Sequence, residues 1–258
     1  MPIQKNKHLV FSSVGDHHAL KTWTRHCKGS KKGFDLWVAH YGENALSSDL
    51  EIDFCIGLKG AKFPNFKIFC ERYAPLIQQY DAIAVLDDDL ILSASDIRSL
   101  FAIRETYDLW LLQPAFAESG KISHTITRAR ADMLLRTTNF VEVTCPFFRT
   151  DKLLSFMEVY DPVLVGFGID WWFVDHLQAP KDKIAIVDAI PCMNPLDSQK
   201  PEGREIDRLQ SFRHRITHCW EQIKKAHGIE NDQRFIGYGG IPNQNNKQEW
   251  LEWVCKRS

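Results

Sequence analysis

The apolar run Ala82-Ile83-Ala84-Val85-Leu86 stops abruptly at three aspartates, Asp87-Asp88-Asp89. A run this short, partly β-branched and free of polar interruption reads as a parallel strand buried on both faces. Open α/β sheets bind their ligands at the C-terminal edge of such strands, so the carboxylates stand where a site belongs. Side chains alternate along extended backbone, which predicts Asp87 and Asp89 on one side and Asp88 on the other. Two carboxylates on one side repel each other unless a cation lies between them. Mg2+ and Mn2+ take hard oxygen ligands and keep room for phosphate oxygens, so the pattern points to a metal-diphosphate site. The competing reading is that the acids form a turn or cap a helix. Ser93-x-x-Asp96 already offers a capping box for the next helix, and three acids exceed what a turn needs.

Before this strand the chain alternates between strand and helix patterns. His8 to Val14 and Asp35 to His40 read as strands, His17 to Cys27 as a helix, and Phe54 to Ile56 as a short third strand. The turn from Ser12 through Gly15 to Asp16 has small residues that let backbone amides approach a phosphate or a base. It matches neither G-x-G-x-x-G nor a P-loop, and an ordinary βα turn reads equally well. Gly57 to Lys62 reads as a glycine-containing loop with two lysines, Lys59 and Lys62, and Pro64 opens a helix that presents Phe66, Phe69, Tyr73 and Ile77 on one face, with a kink or break expected at Pro75. A helix from about Asp96 to Tyr107 and a strand at Leu109 to Leu112 continue the alternation. The fold expected is therefore α/β, a Rossmann-like and mostly parallel mixed sheet flanked by helices.

The second half changes character. Ile126-Thr127 and Phe140 to Thr144 read as strands, and Lys183 to Asp188 as another. Gly166-x-Gly168 precedes Asp170 and the pair Trp171-Trp172, in a loop opening a helix to about Leu177. An acid in a first helical turn is favoured by the dipole alone. Held beside aromatic faces that suit a sugar ring, the Asp170 carboxyl could also rise in pKa toward use as a base. Residues 204 to 227 form an amphipathic helix with Ile206, Leu209, Phe212, Ile216, Trp220 and Ile223 on one face. His214 and His218 have metal-binding spacing, but Arg215 replaces the glutamate of H-E-x-x-H, and a basic solvated face is the better reading. Gly237 to Gly240 and Asn243 to Asn246 read as loop, before an aromatic segment from Trp250 to Val254. The expected division is a domain over residues 1–200, with 201–258 as a helical C-terminal extension packed on it.

With 258 residues the chain can bury a large core, and a net charge of −1 gives no reason to expect nucleic acid as a partner. No apolar run approaches a membrane span, and the first residues lack a signal-peptide core. Seven scattered cysteines without C-x-x-C fit free, buried thiols in a reducing compartment, so a cytoplasmic location, with peripheral membrane contact open, is expected.

Tyr80 to Leu90, Phe140-Val141-Glu142-Val143 and Gly168-Ile169-Asp170 together resemble a plant and bacterial family of glycosyltransferase-like proteins. In that family a D-x-D sequence closes a strand, a phenylalanine-valine-glutamate strand follows, and a glycine-x-aspartate motif comes later. The resemblance runs from about residue 8 to 195. Through its relation to GT-A glycosyltransferases it implies a transferase using a nucleoside-diphosphate sugar donor and a glycan or other hydroxyl acceptor. It implies Asp87 and Asp89 as ligands of Mn2+ or Mg2+ on the donor diphosphate. Ser12, Gly15, Asp16, Lys62 and Asp88 would lie about the nucleotide, and Asp170 would face the acceptor. A histidine that can complete the metal site in relatives corresponds here to Asn194, a weaker ligand. Two other readings stand beside this one: a phosphate-ester hydrolase using D-x-D, and a non-catalytic nucleotide- or sugar-binding protein of the same fold.

Overall fold

The computed structural model describes residues 2–25, 32–199, 213–230, 233–243 and 247–256. A nine-stranded sheet forms its centre, in the order β3-β2-β1-β4-β7-β5-β8-β6-β9. The strands are β1 His8–Val14, β2 Asp35–His40, β3 Phe54–Gly57, β4 Ala82–Val85, β5 Leu111–Phe116, β6 Met133–Thr138, β7 Phe147–Arg149, β8 Ile184–Cys192 and β9 Gly237–Pro242. β7 pairs antiparallel with β4 and β5, and β6 antiparallel with β8 and β9, while the other pairings are parallel. All strands but β6 and β7 therefore run the same way, as the mostly parallel expectation required.

The pleat divides the core into two. Val10, Leu36 and Ala84 face α1 (Leu20–Thr24), α3 (Ala94–Thr106) and the last helix, Lys247–Cys255. Leu9, Phe11, Trp37, Ile83 and Val85 face the opposite layer, built from α2 (Lys62–Ile77), α4 (Thr150–Val159), α5 (Ile169–Leu177) and α6 (Arg213–His227). Strands buried on both faces have no polar side to alternate with, which is why β4 reads as a continuous apolar run and β1 and β2 carry apolar centres, Leu9 to Phe11 and Leu36 to Ala39.

The Ser93–Asp96 capping box forms: the Ser93 Oγ accepts from the Asp96 amide at 3.1 Å, and Asp96 Oδ2 accepts from the Ser93 amide at 2.9 Å. In α2 the kink falls at Tyr73 (φ −127°, ψ 24°), two residues before Pro75. Proline there removes a helical donor and crowds the preceding turn.

Several expectations are corrected. Residues 140–144 are a turn rather than a strand, because side chains and crossing backbone satisfy their polar groups: the Glu142 amide donates to Gln113 Oε1 at 2.6 Å, and the Thr144 carbonyl accepts from the Asp87 amide at 2.9 Å. Thr125–Thr127 is a 3-10 turn, closed by Thr127 Oγ1 donating to the His124 carbonyl at 2.8 Å. Gly237–Pro242 is an edge strand rather than a loop. Its glycines hid the strand signal yet permit the close approach, since a Cβ on Gly240 would run into the Leu135 carbonyl of β6. The C-terminal region thus contributes a strand to the main sheet. Trp220 and Ile223 of α6 are buried, while Ile206, Leu209, Phe212 and the side chains of His214 and Ile216 lie outside the described residues. His218, exposed, meets Gln222 at 2.9 Å. Among the described cysteines, all free, Cys145 and Cys192 are buried as expected, whereas Cys55 and Cys255 are exposed.

Candidate active site

β1 has β2 on one side and β4 on the other, so the chain reverses its direction of winding between β1 and β4. In open α/β sheets the crevice beyond the strand ends at such a switch point is where ligands sit. The turn after β1 brings Gly15 there, and the end of β4 brings the aspartates.

The three aspartates part company at once. The backbone leaves the extended form after β4 and turns at Asp88–Asp89, so simple strand alternation does not place Asp89. Asp87 Oδ1 is ion-paired with Lys62 Nζ at 2.6 Å. Lys62 comes from the first turn of α2 and also donates to the Thr144 carbonyl at 2.7 Å, the same oxygen that receives the Asp87 amide. Asp88 turns away and accepts the Gly15 amide on Oδ2 at 2.9 Å, while its own carbonyl receives the Ala19 amide at 2.6 Å. The Asp88 residue is half-buried, but its carboxyl lies enclosed. Desolvation pushes its pKa up to about 8, with the charges of Asp89 and Asp87 adding to the rise and the Gly15 amide opposing it.

The expected nucleotide-side residues frame this crevice in different ways. Ser12 is fully buried, and its Oγ donates to the Leu86 carbonyl at 2.8 Å, tying β1 to the chain that carries the aspartates. Asp16 caps the loop after β2, accepting the Asn44 amide at 2.9 Å and the Glu43 amide at 3.2 Å, contacts that hold its carboxyl below the usual range. Asn65, absent from the sequence expectations, donates to Ser13 Oγ and to the Gly60 carbonyl, both at 2.9 Å. It fastens the loop before Lys62 to the end of β1. Asn194 is buried; an antiparallel bridge between Ile91 and Met193 lays its backbone across from the end of the aspartate run, and its carbonyl receives the Lys121 amide at 2.7 Å.

Glu142 and Asp170 form the back of the site. Glu142 is 4% exposed; its Oε1 accepts Thr144 Oγ1 at 2.8 Å, and Oε2 is enclosed with no hydrogen-bond partner among the described residues. Burial pushes its pKa up to about 7, helped by the charges of Asp170 and Asp87 and opposed by Thr144 and Lys62. Asp170 is also buried, with a pKa raised by desolvation to about 6; the Trp171 amide donates to Oδ1 at 3.0 Å, and the amides of Val143 and Gly168 temper the rise. In the sequence Glu142 stands out only as part of an expected strand and of the phenylalanine-valine-glutamate motif, with no role of its own. Its acid within an otherwise apolar stretch was the signal that could have singled it out.

The tryptophan wall is corrected. Trp171 and Trp172 are 2% and 1% exposed. Phe140 and Phe235 pack on Trp171, and Phe156, Tyr160 and His227 on Trp172, so neither indole offers a face to a sugar. Gly168, at φ +98°, approaches a protein side chain: a Cβ there would stand 2.6 Å from the Trp220 ring.

The oxygen donors of Asp87 and Asp89 have the hard chemistry that suits Mg2+ or Mn2+, and the Ile91–Met193 bridge brings the backbone next to Asn194 across from the end of the aspartate run. Lys62 already supplies one positive charge to Asp87. Among the described residues, no group of three or more His, Cys, Asp and Glu side chains is arranged to hold a metal ion, and no helix is long and apolar enough to cross a membrane.

The architecture is a mixed α/β sheet flanked by helices, with a cluster of acids at its switch point. Neither a protein-family model nor a curated protein matches the sequence. Among solved structures, S. aureus TarS is similar with a TM-score of 0.51 at 10% identity, covering 74% of this chain and 37% of TarS. TarS 1-349 aligns at 0.49 and 10% identity over 74% of this chain and 61% of that one, and its complex with UDP-GlcNAc at 0.49 and 10% over 73% and 58%. The chain therefore spans about six-tenths of TarS 1-349 and little more than a third of the longer TarS chain. At this identity the likeness is one of fold.

Proposed function

We propose that the protein is a glycosyltransferase, moving a sugar from a nucleoside-diphosphate donor to a glycan or other hydroxyl acceptor. The observation that carries the reading is the meeting of the Gly15 turn, Lys62 and Asp87 to Asp89 at the switch-point crevice between β1 and β4. Such a crevice offers charge to a diphosphate and backbone to a nucleotide. The glycosyltransferase-like family that the motifs resemble, and a TarS fold solved with UDP-GlcNAc, support the same choice of donor class.

In this reading the Ser12 to Asp16 turn borders the nucleotide, with Asp88 holding the turn through the Gly15 amide. Lys62 stands ready to meet the diphosphate when it leaves Asp87. A divalent ion, Mn2+ or Mg2+, would be held by Asp87 and Asp89 with Asn194 beside them, and its chemistry is to neutralise the leaving diphosphate. Asp170, with Glu142 buried next to it, supplies the acidic wall on the acceptor side. Residues 1–200 would carry the transferase and 201–258 would complete it.

Calorimetry of UDP and UDP-GlcNAc binding, with and without Mn2+, tests the assignment. Micromolar to submillimolar binding to the wild type, weakened at least tenfold in Asp88→Ala, is expected. Absence of binding by either nucleotide under both conditions would sink the proposal.

A further inference from the structure

Glu142 is connected to the aspartate run through two residues. Thr144 Oγ1 donates to Glu142 Oε1 at 2.8 Å, and the carbonyl of the same threonine accepts from Lys62 Nζ at 2.7 Å and from the Asp87 amide at 2.9 Å. Lys62 closes the circuit on Asp87 at 2.6 Å. One turn between β6 and β7 thus holds the buried acid, the lysine and the first aspartate in a single frame.

The two acids at the back of that frame are not equivalent. Asp170 lies among amide donors: the Trp171 amide reaches Oδ1 at 3.0 Å, and the amides of Val143 and Gly168 also face the carboxylate. Val143 is the neighbour of Glu142, so Asp170 grips the very turn on which Glu142 sits. A carboxylate engaged by several amides is the weaker proton acceptor of two buried acids, because those bonds favour its charged form. Glu142 has one oxygen engaged by Thr144 and the other, Oε2, buried with no hydrogen-bond partner among the described residues. A buried carboxyl oxygen left without a donor is costly, and it calls for a partner that arrives from outside the chain.

Resting on the glycosyltransferase reading, we infer that Glu142 is the general base of an inverting transfer and that Asp170 is the positioning residue that holds its turn. The acceptor hydroxyl gives its proton to Glu142 Oε2 as its oxygen bonds to the anomeric carbon. The bond from that carbon to the diphosphate oxygen breaks, and its electron pair leaves on the nucleoside diphosphate. Lys62, released from Asp87 onto the departing phosphate, would answer the charge that forms there. A base in hydrogen-bond reach of its proton typically contributes a hundredfold or more to turnover.

The test uses the full chain and UDP-GlcNAc, with transfer to water as the basal reaction, in wild type, Glu142→Gln and Asp170→Asn. Expected for Glu142→Gln is a fall of at least a hundredfold in UDP release, with UDP affinity close to wild type and a melting temperature no lower than wild type. Asp170→Asn should lose melting temperature together with turnover, because its amide group meets amide donors. Proton NMR on the first sugar released by the wild type should show the β anomer, a readout that needs no variant. Wild-type turnover in Glu142→Gln, or the α anomer as first product, would overturn the assignment while leaving the glycosyltransferase reading intact. So would a wild type that binds UDP-GlcNAc but releases no UDP, since a base aimed at the anomeric carbon also acts on water. Failure of the wild type to bind either nucleotide removes the glycosyltransferase reading, and the role of Glu142 falls with it.

Discussion

Lys62 and Asp87 are ion-paired at 2.6 Å, and both also bind one oxygen, the carbonyl of Thr144. The lysine is the resident counter-charge of an acidic turn. Its side chain is 10% exposed and that of Asp87 37%, so the pair is sheltered on one side and open on the other. On the proposed reading, that leaves the lysine free to pass from the carboxylate to an incoming phosphate.

Lys62→Met should therefore do two things. It removes the partner of a half-sheltered carboxylate and leaves Asp87 beside Asp88 and Asp89, which should cost about 2–3 kcal/mol, below the range for a fully buried pair. It should also weaken UDP binding by tenfold or more. Urea unfolding and calorimetry measure both, and a stable variant with unchanged affinity would take Lys62 out of the site.

Asp89→Ala should abolish any gain in UDP affinity on adding Mn2+ or Mg2+ while leaving the fold intact, because the residue lies in a turn beyond β4. Titrations with and without metal provide the comparison. Equal metal dependence in the variant and the wild type would remove Asp89 as a ligand.

Gly168→Ala should destabilise the protein by about 2–4 kcal/mol, from the positive φ and from the Trp220 ring that a methyl group would strike. Trp220→Ala should cost about 3–5 kcal/mol by emptying the same contact. Chemical denaturation of both variants checks whether α6 is integral to the core. Cooperative unfolding at wild-type stability in either would show that it is not.

The Glu142 carboxyl makes stability depend on pH in a definite direction. Its pKa is raised from 4.5 to about 7 by burial, so between those values the folded state holds a proton that the unfolded state has released. Folding is then favoured at low pH, and this contribution is lost as pH rises from about 4.5 through 7. Glu142→Gln cannot lose that proton. Relative to the wild type it should gain on the order of 3 kcal/mol between pH 5 and 8. Melting curves of both proteins across that interval give the difference, and parallel curves would show that Glu142 is not held protonated by its surroundings.

The sequence by itself determined the part of the fold whose logic is local. Buried parallel strands are dominated by apolar residues without a polar alternation, so β1, β2 and β4 were legible, and the Ser93–Asp96 box marked the start of α3 because a cap acts within one turn. It also marked Asp87 to Asp89 as a cluster of acids at a strand end. What surrounds those acids was decided only by tertiary structure. Alternation predicts sides for extended backbone, but the chain turns at Asp88, and Gly15, Lys62 and Thr144 draw the carboxylates apart. Trp171 and Trp172 looked available because a sequence does not show which distant segments will cover a face; Phe235 and Tyr160 cover theirs. β9 and the turn at Glu142 were missed for a shared reason. In both, backbone groups find their partners far along the chain, Gly240 at Arg136 and Glu142 at Gln113. Pairings between distant residues leave no periodic trace near either partner, and those are the pairings that assemble this site.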